Sequence, residues 1–335
     1  MIRVAAGLIR RADGCMLIAQ RSKGQHHAGL WEFPGGKLEA GETPEACLER
    51  ELLEELALPV AGCRAVRESE AEGIRFYFVR GESKGDPVCR EHAAIAWVRP
   101  RQLAGYPMCP ADAPVAHALA MNDPPVTCCF WDFDGTLADS YPTSVKLLRA
   151  ALGPEIPVDE REALLLMKDT LQVCIDAYAR RYRLDSRELL AAFRREEARL
   201  PMTDFPPMPG IPEALRILRE RGCRHYLYTH RDSLAWRILE AWDLAHWFED
   251  GITSEDGFPK KPDPSALLHL VRKAGVSPEN CVMIGDRSID LEAGRRAGMR
   301  TSTLDPDDYY PEEKELRCES AWQLPDMICP LPLPE

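Results

Sequence analysis

The sequence predicts an α/β protein built as two domains in tandem, and three observations carry that reading. Its 335 residues are more than one hydrophobic core usually serves. The front of the chain sets a strand–turn–strand pattern and a glycine turn before a Glu-rich helix. The rest carries short apolar strands that each end in acids, threonine or a glycine turn, with helical periodicity between them, as in an open α/β sheet. Apolar residues make up 45% of the chain, which is ample for burial and argues against disorder.

The first strand runs within Met1–Arg11, where the apolar run is too short, and its following charges wrong, for a secretory signal. Ala12–Asp13–Gly14 turns the chain into a second strand, Met16–Ala19. After the Pro34–Gly35–Gly36 turn, Thr43 can cap a helix and Pro44 suits its first turn. On that helix Glu51, Glu54 and Glu55 are spaced i, i+3 and i+4 and share a face. Carboxylates that close repel one another unless cations sit among them. Magnesium, with manganese as a substitute, is the expected ion for oxygen ligands and a polyphosphate. A merely solvated acidic face explains neither the glycine turn nor Arg50 beside the acids.

From Gly36 to Leu58 the sequence matches G-x5-E-x7-R-E-U-x-E-E-x-G-U, U being a bulky apolar residue, except that Ala57 replaces the last glycine. That is the Nudix box, so residues 1 to about 122 resemble the Nudix hydrolases, which cleave nucleoside diphosphates linked to another group. The resemblance implies an α/β/α sandwich with a mixed sheet. It assigns metal binding to Glu51, Glu54, Glu55 and the Gly35 carbonyl, catalysis to Glu51 and Glu54, and support to Glu42 and Arg50. The segments Ala19–Arg21, Trp31–Lys37, Glu91–Val98 and Tyr106–Val115 are similar to the CTP and 8-oxo-dGTP pyrophosphohydrolases. In that branch Asp112 reads the base edge, and an ionised Asp112 would favour exocyclic amines. The alternative for Asp112 is a helix cap before Pro114. Phe33 would line the base pocket, Arg21 and Lys37 would approach the nucleotide, and Glu91 is a fourth metal ligand or general base.

Asn122–Asp–Pro–Pro125 is a short, proline-stiffened boundary, with 123–126 as linker and a second domain over 127–325. Cys128–Trp131 is a short apolar strand, and Asp132 and Asp134 follow at its carboxyl end, where open α/β sheets bind ligands. Arg224–Tyr228 ends at Thr229, Lys261 stands before a proline, and Cys281–Ile284 ends in Gly285–Asp286 with Asp290 beyond. Together these resemble the four motifs of the haloacid dehalogenase-like phosphatases, in the phosphoglycolate phosphatase and β-phosphoglucomutase-like subfamily, over about residues 126–306. The resemblance implies a Rossmann-like doubly wound core. It makes Asp132 the nucleophile that forms an aspartyl-phosphate and Asp134 the general acid and later base. Thr229 and Lys261 would hold the phosphoryl oxygens. Asp286 would complete a magnesium site with Asp132 and the Asp134 carbonyl, and Asp290 would support the loop, its alternative being a helix cap. Lys260 is a rival to Lys261, and His230 or Arg231 is expected to contact substrate.

Between the first two of these motifs, helical periodicity runs over 144–151, 159–168, 171–182 and 186–200. This resembles the cap such phosphatases insert, here about 141–206, and Pro206–Gly210 marks the return to a core of 207–325. Tyr141, Lys146 and the arginines at 180, 181 and 183 could meet an anion, though a solvated face is the simpler account of those charges. The twelve cysteines lack paired zinc-ligand spacing and read as reduced core thiols of a cytoplasmic protein. A net charge of −12, to which 312–315 contribute, disfavours nucleic acid and anionic membranes as partners. No apolar run is long enough to span a membrane, and the proline-rich tail from Pro325 is expected to pack loosely. The expected activity is bifunctional: (d)NTP to NMP and pyrophosphate, then removal of phosphate from a small ester, the NMP among the candidates. Pyrophosphate, phosphoglycolate or a sugar phosphate as second substrate, phosphoryl-transfer mutase chemistry, or a nucleotide-sensing half are the alternatives.

Overall fold

The computed structural model of the chain describes residues 1–306, 316–331 and 333; the acidic stretch 312–315 lies outside them. It divides into two compact units, residues 1–125 with those after 328, and residues 126–328.

The first unit contains β1 (Ile2–Arg10), β2 (Met16–Gln20), β3 (Trp31–Glu32), β4 (Gly35–Lys37), α1 (Pro44–Leu56), β5 (Val60–Ala71), β6 (Ile74–Ser83), β7 (Ala94–Val98) and α2 (Ala113–Met121). Its sheet runs β3-β2-β1-β6-β5, with β4 also on β1 and β7 on β2. Only β1–β6 is parallel, so the sheet is mixed. Successive side chains of a strand face opposite ways. On β1 that sends Ala5 and Ile9 to the core under α1, with Leu48 and Leu52, and Ala6 and Leu8 to the core under α2, with Val115 and Leu119. A strand covered on both faces explains the unbroken apolar run.

α1 starts as its sequence dictates. Thr43 Oγ1 accepts the Ala46 N–H at 3.2 Å, satisfying a donor the helix leaves open, and Pro44 opens the first turn. It ends on Ala57, which takes the left-handed conformation (φ 48°) that a glycine would adopt without steric cost. The Ala57 and Leu58 N–H groups bond Leu53 and Leu52 carbonyls at 3.1 and 3.0 Å, so the terminating turn forms despite the missing glycine.

The second unit contains β8 (Cys128–Trp131), α3 (Tyr141–Leu152), α4 (Glu160–Asp169), α5 (Leu171–Tyr182), α6 (Ser186–Glu197), α7 (Ile211–Glu220), β9 (Arg224–Tyr228), α8 (Leu234–Ala241), β10 (Phe248–Ile252), α9 (Ser265–Ala274), β11 (Cys281–Gly285), α10 (Ser288–Arg296), β12 (Arg300–Leu304), β13 (Arg317–Cys318) and α11 (Leu324–Ile328). The sheet is parallel throughout, in the order β10-β9-β8-β11-β12-β13. Strand order reverses between β8 and β11, and such a switch point opens a crevice at the strands' carboxyl ends.

Helices α3–α6 leave the core after β8 and return before α7. Asp159, Thr170 and Asp185 cap α4, α5 and α6 through side-chain oxygens. The outgoing and returning chains lie side by side: the Asp139 N–H bonds Pro206 O at 2.9 Å and the Met208 N–H bonds Leu137 O at 2.8 Å.

Asp290 is the third residue of α10, and its carboxylate accepts the N-cap Arg287 N–H at 3.2 Å, one half of a capping box. One sequence expectation fails here: the tail is not loose at its start, since α11 buries Leu324 and Ile328 completely. None of the twelve cysteines is in a disulfide, and among the described residues no helix is long and apolar enough to cross a membrane.

Candidate active sites

In the first unit the acids of α1 face the β4 turn. A Cβ on Gly36 would lie 2.2 Å from the Glu51 carboxyl carbon, so any larger residue there would displace that carboxylate. Arg50 organises the group: Nε and Nη2 grip both Glu42 oxygens at 2.9 and 3.0 Å, and Nη1 reaches Glu51 Oε1 at 2.9 Å. These hydrogen bonds hold Glu42 down at about 2. The three box glutamates share a helix face, yet their carboxylates do not meet in one cluster. Glu51 turns to Arg50, Glu54 is 60% exposed, and Glu55 turns inward, where His92 Nε2 stands 3.8 Å from its Oε2. Burial raises Glu55 to about 7 against the relief His92 gives.

His92 also lies 3.6 Å from Glu32, which pairs with Arg21, so a polar chain runs from Arg21 through Glu32 and His92 to Glu55. The sequence reading singled out Glu91 and missed its neighbour. Glu91 is exposed, its carbonyl accepting from Ser22, whereas His92 is the buried partner of the acids. Arg21, expected to approach the nucleotide, is committed to Glu32, and the Lys37 side chain is exposed. Phe33 is buried in the core, its ring 6.4 Å from that of Phe78, so it backs the site as a wall. Asp112 does not cap α2 with its side chain; Oδ1 accepts the Phe33 N–H at 3.2 Å. Burial pushes Asp112 up to about 7.

In the second unit the four expected segments converge at the switch point. Lys261 Nζ bonds Asp132 Oδ1 at 2.5 Å and Asp290 Oδ1 at 2.7 Å, with all three side chains buried. Lys260, the rival, is exposed. Asp132, Asp286 and Asp290 bring carboxylate oxygens within 4.8 Å of one another. Gly135 turns the chain beneath them at φ 80°, where a Cβ would lie 2.5 Å from Asp286 Oδ2. Arg287 adds charge, 3.5 Å from Asp290 and 3.9 Å from Asp132. Burial and the neighbouring Asp290 raise Asp132 to about 7 against the pull of Lys261 and Arg287. Asp290 is buried as deeply, but there the two cations win and its pKa falls.

Inserted helices supply groups that no short motif announced. Lys168, at the end of α4, bonds Asp286 Oδ2 at 2.9 Å, and the Tyr141 hydroxyl donates to the same oxygen at 3.0 Å. Arg231 clamps Asp134 with Nε and Nη2 at 2.7–3.1 Å, and its Nη1 takes Glu197 of α6 at 2.9 Å. Burial would raise Asp134, but Arg231 outweighs it and the pKa falls. His230 and Arg231, expected to meet substrate, both line the cavity, and His230 Nε2 also accepts the Lys261 N–H at 2.8 Å. Thr229 is buried, and its Oγ1 accepts the Arg231 N–H. Asp132, Asp134, Thr229 and Lys261 line a cavity of about 460 Å³, which Leu171, Leu190 and Phe193 of the inserted helices help to wall.

The all-oxygen donor set of this cluster suits a hard divalent cation. Asp132 Oδ2 and Asp286 Oδ1 are buried without a hydrogen-bond partner, as two atoms aimed at such an ion would be.

The comparisons agree with this geometry. A family model for the NUDIX domain matches residues 1–119, and one for haloacid dehalogenase-like hydrolases matches residues 126–298. The chain is 37% identical to an 8-oxo-dGTP diphosphatase of Haemophilus influenzae, over 36% of this chain and 91% of that one. It is 39% identical to a CTP pyrophosphohydrolase of Escherichia coli, again over 36% and 91%. It is 29% identical to a phosphoglycolate phosphatase of Nitrosospira multiformis, over 52% of this chain and 81% of that one. Both families use divalent metal ions. With both sets of acids in place, the chain belongs to the NUDIX hydrolases through its first unit and to the haloacid dehalogenase-like hydrolases through its second, and is a bifunctional phosphate hydrolase.

Proposed function

We propose that the two sites act in sequence on one nucleotide. The first unit hydrolyses an amine-bearing or oxidised (d)NTP, of the CTP or 8-oxo-dGTP type, to the monophosphate and pyrophosphate. The second removes the remaining phosphate and releases the nucleoside. Either product then has to be rebuilt through more than one kinase step, which makes removal from the triphosphate pool lasting.

In the first site Glu51, Glu54, Glu55 and the Gly35 carbonyl would hold magnesium, which would supply charge neutralisation along the polyphosphate. Arg50 and Glu42 fix the helix face to the glycine turn, and Asp112 reads the base edge. In the second site Asp132, Asp286 and the Asp134 carbonyl would hold magnesium, which would supply positive charge against the repulsion between nucleophile and phosphate. Asp132 attacks phosphorus and Asp134 gives its proton to the leaving oxygen, then takes one from the water that cleaves the aspartyl-phosphate. Lys261 and Thr229 hold the phosphoryl oxygens, and Asp290 keeps Lys261 in place.

The observation that carries the second assignment is the cavity. At about 460 Å³ it falls within the roughly 300–1,000 Å³ typical of pockets that enclose drug-sized ligands. A two-carbon ester such as phosphoglycolate would leave most of it empty. Its apolar wall of Leu171, Leu190 and Phe193 suits a base and sugar beyond the phosphate. The phosphoglycolate phosphatase relative supports the smaller ester as a second reading. One experiment separates them: incubate wild type and Asp132→Asn with magnesium and CTP, dCTP, dGTP, 8-oxo-dGTP or 5-methyl-dCTP, and resolve products by ion exchange. The sequential reading expects nucleoside from wild type and monophosphate plus pyrophosphate from the variant. Identical products from both proteins would sink it.

A further inference from the structure

Apart from the buried acids of the second unit, one other group of metal-ligating side chains converges among the described residues. His26, His27 and Glu72 bring one ligand atom each within 4.8 Å of the others. His27 Nε2 stands 3.3 Å from Glu72 Oε2, and His26 Nδ1 stands 4.0 Å from the same oxygen. The histidines lie in the loop between β2 and β3, and Glu72 lies in the turn between β5 and β6, so the meeting is not a local accident of sequence. The hydrolytic chemistry above uses none of the three.

The backbone under these side chains is held in place. Arg21 Nε donates to His26 O at 2.6 Å, and the Leu30 N–H donates to His27 O at 3.1 Å. The Gly29 N–H bonds Arg21 O at 3.0 Å, closing the loop on its own start. Across from it, Ala71 pairs with Ile74, which leaves Glu72–Gly73 as a tight turn with φ of 51° and 76°. Such turns favour Asn or Asp in the first place, because a short polar side chain tolerates the left-handed region. Glutamate has no such advantage there, and its longer side chain reaches His27 instead. His27 is itself left-handed, at φ 59°. Two residues thus hold an uncommon conformation where their side chains meet, as residues of ligand clamps do.

We propose that His26, His27 and Glu72 form a transition-metal site, zinc foremost, that staples the β2–β3 loop to the β5–β6 turn. Two imidazole nitrogens and one carboxylate are the donor set of open zinc sites, which leave a fourth position to water. Zinc–nitrogen bonds of about 2.0–2.1 Å put tetrahedral ligand atoms roughly 3.3 Å apart, so the three atoms have to close by about 1.5 Å at most. His26 and Glu72 are exposed and make that movement by changing rotamer. The imidazoles also select against magnesium, which prefers oxygen ligands, so this site is distinct in kind from the two hydrolytic ones. The loop it would fix runs from Arg21 to Glu32, whose ion pair heads the polar chain to Glu55. The inference stands apart from the sequential reading of the two catalytic units.

The test reads metal and backbone protection, not turnover. Full-length wild type, Glu72→Asn and the double variant His26→Gln/His27→Gln are stripped of metal and returned to excess magnesium, which fills the carboxylate sites. Each is then titrated with zinc against a chromophoric chelator. Loss of a partner that merely supports a ligand costs roughly 10–100-fold, so loss of a ligand here is expected to weaken one zinc of wild type by about 100-fold or more. Hydrogen exchange read by mass spectrometry should show zinc protecting 22–30 and 71–74 together in wild type and neither segment in the variants. Asn-Gly is the favoured pair for this turn, so without zinc Glu72→Asn should exchange no faster than wild type at 71–74, which separates lost metal from a damaged hairpin. If that variant does disturb the hairpin, the double histidine variant carries the test. Equal zinc affinity in all three proteins would place the ion on cysteines or on the hydrolytic acids and overturn the proposal. Zinc that binds wild type without protecting both segments would overturn it as well.

Discussion

The two sites solve the same problem, carboxylates crowded around a phosphate, in opposite surroundings. In the NUDIX unit the acids come from one helix and keep access to water, from 15% exposed at Glu51 and 20% at Glu55 to 60% at Glu54. In the haloacid dehalogenase-like unit they come from separate strand ends and are buried, Asp132 at 1%. Water screens the first group, so one arginine suffices to organise it. The second group loses that screening, and a buried charge is tolerated only when paired. Lys261, Arg287, Lys168 and Arg231 are the result. Burial of the acids therefore dictates how many cations a site must carry.

That contrast breaks most visibly on charge removal. Glu54→Gln should cut triphosphate turnover by about a thousandfold, the order expected for loss of a metal ligand. Thermal stability of the same variant should shift by less than about 0.5 kcal/mol, as for an exposed substitution. Lys168→Met should do the reverse of what a surface lysine does. It strands Asp286 Oδ2 in a dry site, and breaking a buried pair costs about 3–5 kcal/mol. Calorimetry should show the second transition falling, with part of the loss restored by excess magnesium. A drop no larger than that of an exposed Lys→Met control would mean the site is wetter than its burial implies.

Asp112 sharpens the comparison because it is the one NUDIX acid buried like the second set. Its pKa is raised from 3.8 to about 7, so the native state binds a proton more tightly than the unfolded chain does. The stability it contributes is present in full below about 4 and is lost as pH rises through 7. Wild type should lose NUDIX-unit stability between about pH 4 and 7 in a way that Asp112→Asn does not, by denaturant melts at each pH. Parallel slopes for both proteins would assign the dependence elsewhere. The smallest effect belongs to the helix end. Ala57 holds a left-handed conformation that costs an L-residue roughly 1 kcal/mol, so Ala57→Gly should stabilise the unit by about that amount with turnover unchanged.

Legibility followed the same divide. The NUDIX helix was readable because its acids, its Thr43 cap and its Gly36 turn are neighbours in sequence, and spacing alone puts them on one face. The strands of the second unit were readable because each apolar run ends in its own functional residue. Lys168, Glu197 and His92 were not, for one reason. Each reaches its partner across the fold from a segment with no distinctive local pattern, and a lysine or glutamate on an amphipathic helix looks like solvent-facing charge until packing turns it inward. Arg231 was noticed for its place beside Thr229, but its two-point bond to Asp134 was not, since the sequence could not show which acid would lie within its reach.

One feature of the second unit bears on how such a protein can change. The chain leaves for its inserted helices at Leu137–Asp139 and returns at Pro206–Met208, and the two passages are pinned together by main-chain hydrogen bonds. A segment whose ends touch can be exchanged for one of another length with almost no strain on the scaffold, because closing its ends has a weak dependence on what lies between them. The parallel sheet and its acids would stay put while the enclosing helices were shortened, replaced or grafted from a relative. The chemistry and the choice of molecule it is applied to are thus inherited as separable parts.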